Sequence, residues 1–134
     1  IDTERKELVL EAADRRRADV VGDEVLKIFG EILEDEIRES DFVGRYGGEE
    51  FLVIAPEVGP EEVLELAERI RERVGNHEFD DPNGKPFTVT VSGGIAGYEE
   101  GISPKKFIDR ADKALYRAKE AGRDQTCLFD PEVD

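Results

Sequence analysis

The sequence predicts an α/β (α+β) fold in which a mixed, mostly antiparallel central sheet is flanked by helices. Three observations carry this expectation. Two runs rich in aromatic and β-branched residues, Phe42–Tyr46 and Phe51–Ala55, flank the adjacent glycines Gly47 and Gly48. Glycine reaches the positive backbone dihedrals that a tight hairpin turn demands. Three other segments carry apolar residues at helical spacing, and short alternating runs lie between them. Helices thus alternate with a hairpin and single strands, the pattern of a sheet with helices packed against it.

The 134 residues suit one domain with a real core. A net charge of −15 argues against a general DNA or RNA binder, whose affinity comes largely from neutralising phosphates with Lys and Arg. It leaves open the binding of a single nucleotide, which needs only a few local cations and a metal. Cys127 is the one cysteine, so no internal disulfide can form and a reducing, cytoplasmic setting is expected. Its simplest role is that of a small buried apolar residue. No signal peptide and no membrane-spanning run is visible. The chain opens without a methionine and reads as a piece of something longer.

In chain order, Ile1 to Val21 is the least legible stretch. Leu8-Val9-Leu10 suits a strand, and Glu7–Arg17 suits a helix equally well. Arg15-Arg16-Arg17 reads as a solvated helix face rather than a phosphate contact. Gly22-Asp23 opens a clearer helix with Val25, Ile28, Phe29, Ile32, Leu33 and Ile37 as its stripe, running to about Glu39. Asp23 falls at or near its first turn, where a carboxylate favours the helix dipole. After the hairpin, Pro56 stops the second strand. Gly59-Pro60 starts a helix with Val63, Leu66, Ala67, Ile70 and Val74 inward, and Gly75-Asn76 ends it. Asp80–Gly84 is a turn. Phe87, Val89 and Val91 alternate with threonines, so a strand is expected there, running on through Gly93-Gly94 to Tyr98 with a bend at the glycines. Ser103-Pro104 caps a third helix that buries Phe107, Ile108, Ala111, Leu115 and Ala118, and Gly122 closes it. A last short strand is expected at Thr126–Phe129. The lone His77 falls in a loop-like context and carries no assigned role.

The hairpin tip carries the unusual chemistry. Glu49 and Glu50 follow two bare glycines in an otherwise apolar hairpin. Bare backbone admits a phosphorylated ligand, and carboxylates can hold Mg²⁺ together with substrate phosphates. An ordinary hairpin with two solvated glutamates fits the same five residues. Consecutive strand residues point to opposite faces, so Glu49 and Glu50 should diverge and hold different jobs.

Arg45-Tyr46-Gly47-Gly48-Glu49-Glu50-Phe51 resembles the signature of the GGDEF domain, the diguanylate cyclase family, in its Gly-Gly-Glu-Glu-Phe form. Val21–Leu26 resembles the family segment before the hairpin, Val89–Ala96 its late strand, and Arg110–Arg123 its last helix. These pieces come in the family's order from about Val21 to the C-terminus. The resemblance implies a single catalytic domain over residues 1–134, with an atypical or incomplete segment at 1–21, and a fold like the palm of polymerases and nucleotide cyclases. It implies that two GTP molecules become cyclic di-GMP and two pyrophosphates at a homodimer interface, with Mg²⁺ (or Mn²⁺) as cofactor. It also implies fusion to a sensory or regulatory domain in the full protein.

Carried over by position, the resemblance makes Glu49 a metal ligand and catalytic residue. Glu50 becomes a second catalytic residue that handles the attacking hydroxyl. Gly47 and Gly48 let phosphates and ribose lie against the hairpin. Asp23 matches the carboxylate that accepts from the guanine edge, and Lys119 and Arg123 match phosphate-binding cations. Without the family, Lys119 and Arg123 read as cations at a helix C-terminus. Arg38-Glu39-Ser40-Asp41 has the Arg-x-x-Asp form of the family's inhibitory site for cyclic di-GMP. Arg69 matches a secondary arginine that completes such a site from a neighbouring subunit. An exposed ion pair at a helix end is the plainer reading of Arg38 and Asp41.

The N-terminal segment departs from the family. A long apolar strand with a metal-binding aspartate, a Phe-Lys-x-Ile-Asn-Asp run and a Gly-His pair are not found at the expected spacing. Without gaps, Lys6 would take the metal aspartate's place, Asp14 that of the guanine-binding asparagine, and Ala18-Asp19 that of the Gly-His pair. With a deletion, Leu8-Val9-Leu10 becomes the strand, and Glu11 or Asp14 supplies the carboxylate. Three readings follow: residues omitted from the chain, a rebuilt active site, or a degenerate domain that binds nucleotide without catalysis.

Overall fold

The computed structural model describes residues 6–12, 15–45 and 50–134. Its central strand is β1 (Lys6–Ala12), drawn from the stretch the sequence left ambiguous. The run Leu8-Val9-Leu10 is apolar without alternation, which suits a strand covered by helices on both faces. β1 pairs antiparallel with β3 (Glu50–Ala55) on one side and with β6 (Val91–Gly97) on the other. β2 (Phe42–Arg45) forms a hairpin with β3, and β7 (Thr126–Leu128) lies parallel to β6. The order is β2-β3-β1-β6-β7, so the sheet is mixed and mostly antiparallel, as expected. Its one parallel pair needs a crossover, and α3 (Pro104–Glu120) supplies it.

Alternation along the strands divides the core between two faces. Phe51, Val53 and Ala55 of β3, with Val91 and Ile95 of β6, pack against α1 (Arg15–Glu36) and α2 (Pro60–Asn76). Phe29 and Leu33 of α1 and Ile70 of α2 are fully buried there. Leu52 and Ala96, on the opposite face, pack with Phe107, Ala111 and Leu115 of α3. Small residues at 111, 114 and 118 let α3 approach the sheet closely. Ile108, expected inward, is only half-buried, and Ala114 takes its place in the core.

The helix ends follow local chemistry. Ser103 Oγ accepts from Lys106 N–H at 3.1 Å, and Pro104 occupies the first turn of α3. Glu62 accepts from Gly59 N–H at 3.2 Å at the start of α2. Two expectations change. α1 begins at Arg15, not at Gly22, so Asp23 lies in the helix interior and cannot cap a first turn. A glycine inside a helix is tolerated at modest cost, and Gly22 is no boundary here. The strand expected from Phe87 also breaks. β5 (Pro86–Phe87) pairs instead with β4 (Phe79–Asp80), where the Phe79 and Phe87 rings stack at 5.6 Å. The sheet strand β6 starts only at Val91. Cys127 is half-buried and free.

Candidate functional site

The register of the sheet lines up one transverse row. Glu50 at the start of β3 lies opposite Glu11 of β1, and Glu11 lies opposite Ser92 of β6. Glu50 and Ser92 share the α3 face with Leu52 and Ala96, and Glu11 holds the register position between them. Two strand spacings, about 10 Å, separate the ends of this row. Gly47, Gly48 and Glu49 lie outside the described residues, as does Asp14; Glu49 immediately precedes the row. Glu11, one of two carboxylates the sequence offered for the missing first-strand position, is therefore beside the hairpin arm.

The C-terminal end of α3 meets the same row. Past the helix the backbone runs through three successive left-handed residues, Gly122 (φ 119°), Arg123 (φ 65°) and Asp124 (φ 50°). Glycine adopts this region freely; arginine and aspartate do so at a cost. Asp124 N–H donates to Ser92 Oγ at 3.1 Å, and Gly93 N–H donates to Gln125 O at 3.0 Å. These bonds tie the turn bearing Arg123 to the carboxylate row. Lys119 lies in the last turn of α3, where its charge complements the helix dipole. Asp23 is exposed on α1. Ser92 and Asp124 had no role in the sequence reading; the Val-Ser-Gly-Gly run held Ser92, but only register and the turn reveal what it touches.

A second constellation lies across the molecule. The Asp41 side chain is 1% exposed and accepts from Arg38 three times over: from its backbone N–H at 2.8 Å, its Nη2 at 2.8 Å and its Nε at 3.1 Å. Arg38 Nη2 also donates to Pro56 O at 2.8 Å. Donation to the Asp41 carboxylate raises the Arg38 pKa above its ordinary value. Arg38, Asp41 and Arg69 line one cavity of about 150 Å³, together with Glu36, Glu62 and Leu66. Arg69, expected to reach such a site from a neighbouring subunit, thus lines this chain's own cavity, where its Nε donates to Glu36 at 3.0 Å. Glu36 is held below the usual carboxylate range, first by its hydrogen bond from Arg73 and then by that from Arg69.

Among the described residues no cluster of three metal-ligating side chains forms. Glu11 and Glu50 are partners in the register of β1 and β3, and Glu49 precedes Glu50 in sequence; carboxylate oxygens are the ligands that a hard cation takes. Among the described residues no helix is long and apolar enough to cross a membrane.

The sequence matches the family model described as diguanylate cyclase, GGDEF domain, over residues 16–125. It is 42% identical over 106 residues to diguanylate cyclase DgcP of Pseudomonas aeruginosa, covering 79% of this chain and 16% of that protein. It is 41% identical over 105 residues to response regulator PleD of Caulobacter vibrioides, covering 77% of this chain and 23% of that protein. The chain therefore spans less than a quarter of the length of these two relatives. Among solved structures, the GGDEF domain of DgcB from Caulobacter crescentus in complex with c-di-GMP superposes with a TM-score of 0.89 at 28% identity, covering 95% of this chain and 78% of that one. The active GGEEF domain of a diguanylate cyclase from Vibrio cholerae gives 0.84 at 27% identity, covering 96% and 84%.

Proposed function

The chain belongs to the diguanylate cyclase GGDEF domain family, and on that premise we propose that it condenses two GTP molecules into cyclic di-GMP with release of two pyrophosphates. The observation that carries this reading is the register of Glu11 opposite Glu50. It supports a carboxylate on the central strand opposite Glu50, the residue after Glu49, in place of the aspartate that the sequence lacks.

The reaction is an in-line displacement. The 3′-oxygen of one GTP bonds to the α-phosphorus of the other, the bond to pyrophosphate breaks, and the hydroxyl proton leaves. Each chain holds one GTP, so two chains must face each other. Glu49 and Glu11 would hold Mg²⁺ or Mn²⁺, which supplies charge stabilisation at phosphorus and acidifies the hydroxyl. Glu50 accepts the hydroxyl proton. Gly47 and Gly48 offer bare backbone to phosphates and ribose. Asp23 accepts from the ring N–H and exocyclic amine of guanine, a donor pair adenine lacks. Lys119 and Arg123 neutralise the phosphates, so positioning and electrostatics do the work. The cavity of Arg38, Asp41 and Arg69 takes cyclic di-GMP and stops the enzyme. A cytoplasmic setting and a fused regulatory domain fit the single free cysteine and the chain's small share of its relatives' length.

One observation favours a second reading. β1 ends at Ala12 and α1 begins at Arg15, so the family's run between strand and helix, with its guanine-binding asparagine, has no room. That supports a non-catalytic receptor for cyclic di-GMP or GTP. The test is incubation with GTP and Mg²⁺ after stripping bound cyclic di-GMP, with products read by chromatography. Cyclic di-GMP that disappears in Glu49→Ala and Glu11→Ala supports the cyclase. Absence of product, with cyclic di-GMP binding lost in Arg38→Ala, supports the receptor.

A further inference from the structure

Arg71 on α2 pairs with two acidic residues, Glu68 of its own helix and Asp124 beyond α3. Its Nη2 donates to Glu68 Oε1 at 2.7 Å, and its Nε lies 3.2 Å from both Glu68 oxygens. Its Nη1 donates to Asp124 Oδ1 at 2.9 Å. The Arg71 side chain is only 24% exposed, so this is no freely solvated surface pair. Donation to Glu68 first, and then to Asp124, raises the Arg71 pKa further above its already high value. A planar guanidinium can satisfy two carboxylates in one fixed geometry, whereas a lysine presents a point charge.

Asp124 is an unusual anchor. It is left-handed itself, follows left-handed Arg123, and gives its N–H to Ser92. Non-glycine residues stay in this region only when their surroundings over-determine it, and such residues gather at functional sites. Ser92 fixes the turn from the sheet, and Arg71 fixes it from α2.

We propose that Arg71 is a positioning residue: with Glu68 it pins Asp124 and so holds the left-handed turn that sets Arg123 against the phosphates of bound GTP. The proposal rests on the reading of Arg123 as a phosphate ligand. It adds a long-range link to that reading, from the interior of α2 to the end of α3. Arg69, two residues earlier on α2, lines the Arg38–Asp41 cavity, so one helix touches both constellations.

The test is a double-mutant cycle on GTP affinity, measured by calorimetry with Mg²⁺ on wild type, Arg71→Ala, Arg123→Ala and the double variant. Arg71→Ala is expected to weaken GTP binding about tenfold, the scale of a lost charge-assisted hydrogen bond. In the Arg123→Ala background the same change is expected to add nothing. A full additional loss there, or no loss in Arg71→Ala alone, overturns the proposal. Arg71→Lys serves if the alanine variant does not fold: it keeps the charge without the fork, and unchanged GTP affinity in it would likewise overturn the proposal. Product formation by the wild-type chain is scored separately. No cyclic di-GMP with the cycle non-additive defeats the cyclase reading and leaves Arg71 in its role. Product with an additive cycle defeats the Arg71 proposal alone.

Discussion

Asp112 on α3 shows how a single side chain can work against the fold. Its Oδ1 is buried with no hydrogen-bond partner, and burial, helped by Asp109, raises its pKa above the ordinary carboxylate value while Lys119 opposes the rise. A buried carboxylate without a hydrogen bond favours its protonated form. A carboxyl group whose folded pKa is raised stabilises the fold when protonated and costs stability as pH climbs through that pKa. Asp112→Asn is therefore expected to melt higher than wild type at pH 7, with the difference shrinking as pH falls into the range where Asp112 takes up its proton. Thermal melts across pH decide this, and a difference independent of pH would exclude burial of the charge as its source. Arg38 and Asp41 show the opposite case. There a buried carboxylate is satisfied threefold, and the pair was legible in the sequence only as a spacing of three.

At the scale of elements, the seam between α3 and β6 sets the site. A Cβ on Gly94 would overlap the backbone of Ala111 and Leu115, with Leu115 Cα at 2.9 Å. The helix rests on the bare strand, and neither partner is a side chain that could swing aside. Gly94→Ala is expected to cost about 3 kcal/mol, the upper range of overpacking, read as a lower denaturation midpoint. It should also shift the end of α3, and with it Lys119 and Arg123, relative to the row at Ser92. An unchanged midpoint would mean that the helix can lift away freely. The helix stripes of α2 and α3 were readable because a period of 3.6 repeats over many residues. The start of α1 was not, because Gly22-Asp23 imitates a boundary that the helix passes through.

For the whole molecule, the net charge of −15 matters most when two copies meet. Like-charged chains repel over a Debye length, so the proposed face-to-face association is expected to be weak at low ionic strength and to strengthen as salt screens the repulsion. Under the proposed cyclase reading each chain holds one GTP, so specific activity is expected to rise with chain concentration. At fixed dilute concentration, sedimentation should show more dimer as salt increases. A rate strictly linear in concentration down to the monomeric range would refute the dimer requirement.

The sequence by itself determined the apolar stripes of the three helices, the two hairpin arms, the starts of α2 and α3, and the family, because these depend on short-range periodicity, turn chemistry and ordered motifs. It did not decide which strand is central. Leu8-Val9-Leu10 is too short for its period to separate strand from helix, and only pairing with β3 and β6 resolves it. Nor could it bring Glu11 opposite Glu50, Ser92 beneath Asp124 or Arg71 against the end of α3. Those meetings depend on strand register and on helices packing across the sheet, long-range contacts between segments far apart in the chain.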